Sequence, residues 1–194
     1  MLKLGLTGGI GSGKTTISKM FEKLGCNSYN SDERAKRLYF HPEIKIQVIE
    51  LLGKQVYISE TEIDKNYVFD IIFNDKSKLD SLNSIFIPFI KEDFKEFTKS
   101  CFENSIVLLE SATLFESGIY QDLDYNILVT SPEHIRIERV IERNKISREK
   151  VEQCIRNQWT DGKKLDFADF VISNINFADS AQEVLKIMKV FSNI

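Results

Sequence analysis

The tightest constraint on this chain is the run Gly8-Gly9-Ile10-Gly11-Ser12-Gly13-Lys14-Thr15, because it dictates a backbone shape and the elements on either side. Its spacing is G-x-x-x-x-G-K-[ST], that of a phosphate-binding loop. The apolar stretch Leu2 to Leu6 precedes it and predicts a strand. Ile17, Met20, Phe21 and Leu24, at offsets 0, 3, 4 and 7, follow it and predict a helix. Five of the nine glycines fall between Gly5 and Gly13, where successive N–H groups can curl around a polyphosphate with no Cβ in the way. The helix N-terminus adds positive potential. Gly11, Ser12, Gly13, Lys14, Thr15 and Thr16 are the candidate nucleotide-binding residues. Lys14 is expected to reach the β- and γ-phosphates of ATP, and the Thr15 hydroxyl to ligate Mg²⁺. The motif carries the reading to a nucleoside triphosphate with magnesium; the second substrate has to be sought elsewhere.

With 194 residues, 42% apolar and 28% charged, the chain is long enough for one domain with a sizeable core. No apolar run approaches a membrane span. Met1-Leu2-Lys3 leads straight into the first strand, so no signal peptide is expected. Cys26, Cys101 and Cys154 are far apart and form no C-x-x-C pair. They suggest buried or half-buried thiols in a reducing, cytoplasmic setting rather than a metal site. A net charge of −3 argues against a nucleic-acid-coating surface. A monomer with neither nucleic-acid nor membrane partner is expected.

Short apolar runs alternate with helical stretches, which predicts an α/β fold with a parallel sheet. The candidate strands are 2–7, 26–29, 105–110, 125–129 and 170–172. The run Ile106-Val107-Leu108-Leu109 reads as a strand buried on both faces. Residues 39–103 read as a mostly helical insertion: Leu79 and Leu82 start one pattern, and Ile90, Phe94, Phe97 and Cys101 continue it past Pro88, which is expected to kink or break it. In a second excursion, Ser131-Pro132 is expected as N-cap and N1 of a helix and Ser147 as the cap of the next. The final helix is expected after Asp179, with Gln182 completing a capping box. The expected architecture is a three-layer P-loop NTPase fold with a five-stranded parallel sheet, forming one domain over 1–194. Its core is 1–38, 104–130 and 165–194, with a helical acceptor insertion at 39–103 and a lid at 131–164. Small-molecule kinases are organised this way.

Several side chains carry chemistry beyond the loop. Asp32 follows the second strand, and in open α/β sheets ligands bind beyond the carboxyl ends of the strands. It can accept or orient the proton of a substrate hydroxyl, or simply cap a helix; position alone leaves both open. Glu110 ends the third strand where an acid would hold the Mg²⁺ shell, directly or through water, or else lie idle at the sheet edge. Glu116 is either structural or part of the acceptor site. Arg136, Arg139 and Arg143, at offsets 0, 3 and 7, share one face of a predicted helix. They suit a lid closing on ATP, and beside a P-loop that reading outweighs a solvated face paired with Glu138 and Glu142. His41 and His134 have no companions for a triad or metal site, and Phe86, Phe89, Phe94 and Phe97 read as core.

Taken together these residues resemble the dephospho-coenzyme A kinase family. Leu4-Gly5-Leu6-Thr7-Gly8-Gly9-Ile10-Gly11-Ser12-Gly13-Lys14-Thr15-Thr16 is close to its phosphate-binding signature. Asn30-Ser31-Asp32 is similar to the family's D-A-D, with the proposed base retained as Asp32. Leu114-Phe115-Glu116-Ser117-Gly118 resembles the end of P-L-L-F-E-S-G, with Ala112 and Thr113 in place of P-L. Arg139-Val140-Ile141-Glu142-Arg143 resembles the R-x-x-x-R lid. Gln158, Lys164 and Ala168-Asp169-Phe170-Val171-Ile172-Ser173-Asn174 resemble its closing Q…K…A-D-x-V-I-x-N. Residues 43–103 match less well. Ile87 stands where the family often has His, Arg136 where it often has Gln, and Cys154 where it often has Arg.

The resemblance implies transfer of the ATP γ-phosphate to the ribose 3′-hydroxyl of dephospho-coenzyme A, with Lys14, Asp32, Arg139 and Arg143 as catalytic residues and Thr15 and Glu110 toward the metal. Two rivals stand beside it. A nucleoside monophosphate kinase shares the layout but is disfavoured by the closing pattern. A nucleotide-gated switch is disfavoured because Asn144-Lys145-Ile146-Ser147 lacks the Asp of N-K-x-D.

Overall fold

The protein is described from a computed structural model over residues 1–191. Five strands form one all-parallel sheet: β1 (Leu2–Thr7), β2 (Asn27–Asn30), β3 (Ile106–Glu110), β4 (Tyr125–Thr130) and β5 (Phe170–Ser173), in the order β2-β3-β1-β4-β5. Each predicted strand is present, with ends displaced by no more than one residue. The helices are α1 (Lys14–Lys23), α2 (Ser31–Leu38), α3 (Pro42–Leu52), α4 (Lys65–Ile72), α5 (Lys76–Lys99), α6 (Glu133–Asn144), α7 (Arg148–Arg156), α8 (Asp161–Leu165) and α9 (Phe177–Phe191). The chain divides into two compact units, Met1–Asn30 with Phe97–Ile194, and Ser31–Glu96.

The first unit is built on the sheet. Val107, Leu108 and Leu109 are fully buried, as a parallel strand covered on both faces requires. Leu4, Leu6, Ile17, Phe21, Ile172 and Val184 form one cluster in which α1 and α9 pack together. Each such side chain contributes roughly 1.5–3 kcal/mol by leaving water. Leu24, the last member of the predicted helical pattern, caps α1 instead and is exposed. Register carries the chemistry to one edge: Leu6 pairs with Glu110 and Asn30 pairs with Glu110 from the other side, so β1, β2 and β3 end together.

The second unit packs Ile44, Val48 and Leu52 of α3 against Val68 of α4 and Leu82 and Phe86 of α5. Asp64 caps α4 by accepting from the Tyr67 N–H at 2.9 Å. Pro88 does not break α5, contrary to expectation; the helix runs unbroken from Lys76 to Lys99. A helix-interior proline costs ~3 kcal/mol. Burial of Leu82 and Phe86 on that helix contributes roughly 3–6 kcal/mol and outweighs it. Phe86 and Phe89 lie against the rings of Tyr39 and His41, at 4.7 and 5.0 Å, as core rather than a base-stacking platform.

Two caps differ from expectation. Pro132 is the N-cap of α6, its carbonyl accepting from the Arg136 N–H, because the Ser131 hydroxyl is engaged by Arg139. The helix expected after Asp179 starts at Phe177: the Asn176 side chain accepts from the Asp179 N–H at 2.9 Å and takes the capping role. Ser147 caps α7 as expected.

All three cysteines are free, with Cys26 and Cys154 buried. Burial pushes the Cys26 and Cys154 thiols up to about 11 from 9.0, which lowers their thiolate population at neutral pH by about a hundredfold. Alkylation by iodoacetamide at pH 7.5, mapped by peptide mass, is therefore expected at half-buried Cys101 first, with Cys26 and Cys154 labelled only on unfolding. Equal labelling of all three in folded protein would refute the burial.

Candidate active site

The loop between β1 and α1 takes its shape from left-handed glycines and from side chains brought to it from distant elements. Gly11 (φ 78°) and Gly13 (φ 90°) occupy conformations that other residues enter only with strain. Neither has space for a side chain: a Cβ on Gly11 would lie 2.9 Å from the Arg136 carbonyl carbon, and one on Gly13 would strike the Asn174 amide. The Ser12 N–H closes a turn onto the Gly9 carbonyl at 3.1 Å. The Asn174 amide donates to the Ser12 carbonyl at 2.7 Å, and Ser180 Oγ donates to Asn174 Oδ1 at 3.0 Å. Lys14 begins α1 and extends its ammonium to the Gly8 carbonyl at 3.0 Å, within the loop's own curve. The buried Ser12 hydroxyl has no hydrogen-bond partner among the described residues. An orphaned hydroxyl beside curled amides and an ammonium suits a polyphosphate.

Thr15 and Glu110, the two residues expected near the metal, are brought together. Thr15 Oγ1 donates to Glu110 Oε1 at 2.7 Å, although 95 residues separate them. Glu110 is 3% exposed. The donors are a hydroxyl and one carboxylate, both hard oxygens. Among the described residues no group of three His, Cys, Asp or Glu forms a cage for a softer metal. This set fits Mg²⁺, which keeps water and phosphate oxygens as most of its ligands.

The three arginines of α6 separate. Arg139 NH1 donates to the Asn174 carbonyl at 3.1 Å and NH2 to the Ile175 carbonyl at 3.3 Å; NH1 lies 3.9 Å from where a Cβ on Gly13 would be. Arg139 thus stands beside the phosphate loop. Arg143, one turn further, is exposed and donates to Asn144 Oδ1 at 2.9 Å. Arg136 turns inward and is buried, so it does not share an open face with the other two. Asp32 occupies the first turn of α2 in the second unit, two residues after Asn30, the register partner of Glu110.

Sequence reasoning gave no role to Asn174 or Gln158, both of which bind the loop's backbone; the only trace of them was their place in the closing family pattern. It left Glu116 open. Its Oε1 accepts from the Trp159 N–H at 3.0 Å and pairs with the fully buried Lys164 at 3.1 Å, and Lys164 also donates to the Ala112 carbonyl.

A parallel sheet in the order β2-β3-β1-β4-β5, a P-loop leaving β1, and an acid at the end of β3 hydrogen-bonded to the loop's threonine define a P-loop kinase. The dephospho-CoA kinase family model matches residues 2–179. The dephospho-CoA kinase of Leptospira interrogans is 35% identical over 185 residues, covering 94% of this chain and 89% of that one. Among solved structures, the Thermus thermophilus protein TT1252 superposes with a TM-score of 0.83 at 27% identity, covering 97% and 96% of the two chains. Dephospho-CoA kinase from Campylobacter jejuni superposes with a TM-score of 0.68 at 27% identity, covering 98% and 97%. The chain belongs to the dephospho-CoA kinase family, and it is an ATP-using kinase.

Proposed function

We propose that this chain transfers the γ-phosphoryl group of ATP to the ribose 3′-hydroxyl of dephospho-coenzyme A, giving coenzyme A and ADP, the last step of coenzyme A biosynthesis. The observation that carries the reading is the contact of Thr15 with Glu110 at the mouth of the P-loop, in a chain whose family is that of dephospho-CoA kinase. Gly11, Ser12, Gly13, Lys14, Thr15 and Thr16 hold the triphosphate. Thr15, with Glu110 acting through water, holds magnesium, which when bound neutralises phosphate charge. Asp32 orients the acceptor hydroxyl or takes its proton, so that the alcohol oxygen attacks phosphorus in line with the departing ADP. Arg139 and Arg143 bring positive charge to the transferring group. Most of the acceptor recognition is assigned to the helical insertion 43–103, and the lid 131–164 excludes water as a competing acceptor. The wide spacing of Cys26, Cys101 and Cys154, with no C-x-x-C pair, is the ground for a reducing, cytoplasmic setting. Sedimentation tests the expected monomer.

Product analysis after incubation with ATP, magnesium and dephospho-coenzyme A tests the reading: coenzyme A carrying a 3′-phosphomonoester, seen by phosphorus NMR, is the expected product. Turnover of nucleoside monophosphates in its place would favour the rival kinase. Nucleotide binding without any acceptor turnover would favour a switch.

The metal assignment has its own test. Thr15→Val is expected to raise the magnesium concentration needed for half-maximal rate by about 10–100-fold, the usual loss when a metal's protein partner is removed. Thr15→Ser should restore most of it. An unchanged magnesium dependence in Thr15→Val would remove Thr15 from the metal shell.

A further inference from the structure

We infer that Arg136 and Gln158 are positioning residues for the triphosphate, acting by clamping the backbone of Ile10 at both its N–H and its carbonyl. Gln158 Oε1 accepts from the Ile10 N–H at 2.8 Å. Arg136 Nε donates to the Ile10 carbonyl at 3.0 Å. The two consecutive peptide groups that flank the Ile10 Cα are thus held by two side chains from beyond β4, more than 120 residues away in sequence. The guanidinium lies close against Gly9, where any Cβ would run into it, and the Arg136 backbone closes on Gly11. Ile10 is therefore held at its N–H and its carbonyl, with Arg136 also packed against both neighbouring glycines.

The chemistry explains the consequence for the ligand. A P-loop binds phosphate through N–H groups that must converge, and each peptide's tilt sets the direction of the next. With its N–H and C=O both engaged, Ile10 offers neither to the ligand, and its carbonyl is kept from facing phosphate oxygens. Among the described residues the N–H groups of Gly11 and Gly13 make no hydrogen bond within the protein, so they remain for phosphate. Arg136 also places a cation directly behind an anion site.

A merely structural brace explains the arrangement less well. Arg136 is 6% exposed, and among the described residues its carboxylate partner, Asp161, meets Nη1 at 3.3–3.4 Å. A buried guanidinium with a single long carboxylate contact is a weak stabiliser, because desolvation offsets most of the attraction. Its short contact is the one to the loop.

The inference rests on the ATP-binding reading of the loop, and the test separates the two. ADP affinity is measured by calorimetry, and KM for ATP and for the acceptor by steady-state assay, in wild type, Arg136→Met, Arg136→Lys and Gln158→Ala. Arg136→Met is expected to weaken ADP binding and raise KM for ATP by about tenfold, the loss of one charge-assisted hydrogen bond. KM for dephospho-coenzyme A should stay within twofold. Arg136→Lys should recover part of the loss through its charge. Gln158→Ala should weaken ADP binding by about threefold, the lower end expected for a neutral hydrogen bond, and speed hydrogen exchange across residues 8–13. If Arg136→Met does not fold, Arg136→Lys and Gln158→Ala decide. Folded variants with a lowered melting temperature but ADP affinity within twofold of wild type would overturn the inference, as would equal increases in both KM values. Wild type that binds ADP but leaves dephospho-coenzyme A untouched would sink the substrate assignment, while the calorimetry still reads the clamp.

Discussion

Lys14→Ala is expected to lower kcat/KM by about a thousandfold, the scale on which removing one preorganised donor from a developing charge acts, while the melting temperature changes by no more than a few degrees. The ammonium lies inside the loop's curve, 3.0 Å from the Gly8 carbonyl, where β- and γ-phosphate oxygens would take over as its partners. Charge is redistributed over the phosphoryl group in the transition state, so kcat should fall along with affinity for ATP. The fold should survive because residue 14 is the first of α1 and alanine is a good helix former. The core contributed by this helix comes from Ile17, Met20 and Phe21. Steady-state kinetics paired with a thermal melt make the comparison. Turnover within tenfold of wild type would remove Lys14 from the phosphate site, whatever the stability.

Asp32→Asn is expected to reduce kcat by about 10²–10⁴-fold, the usual contribution of a positioned general base, with KM for dephospho-coenzyme A changed only slightly. The substitution preserves size and shape but removes the proton acceptor. Asp32 is an exposed acid in the first turn of α2, where interaction with the helix dipole contributes about 0.3–1 kcal/mol. A base and a helix-stabilising acid therefore separate in the measurement. Loss of kcat with an unchanged melting temperature assigns the base. A small loss of stability with normal kcat assigns the helix role alone. A rise confined to KM would make Asp32 a binding residue.

How far the sequence reaches differs from residue to residue. The strands were legible because a parallel sheet buried on both faces needs apolar runs such as Ile106 to Leu109. Ser147 was legible as a cap because an N-cap bond spans three residues. Pro88 misled because the cost of a proline is local, whereas the burial that offsets it comes from α3 and α4 packing on α5. Arg136 misled for a related reason. Its helical phase relative to Arg139 and Arg143 was right, but phase does not say which neighbour a face meets. That Arg136 is buried against Ile10, while Arg143 stays exposed, was decided by the placement of α6 beside the loop. Thr15 and Glu110 were named separately from motif and strand end; their hydrogen bond required the parallel pairing of β1 with β3.

By itself the sequence determined the phosphate loop, the periods of the elements around it and the order of the residues that resemble the family, because each depends on spacing along the chain and on glycine's freedom to take positive φ. Only the tertiary structure decided which distant side chains bind the loop's backbone: Arg136, Gln158 and Asn174 reach it from beyond β4. A hydrogen bond acts over about 3 Å in space and takes no account of separation in sequence. Its partner is therefore known only once the sheet has brought the two segments together.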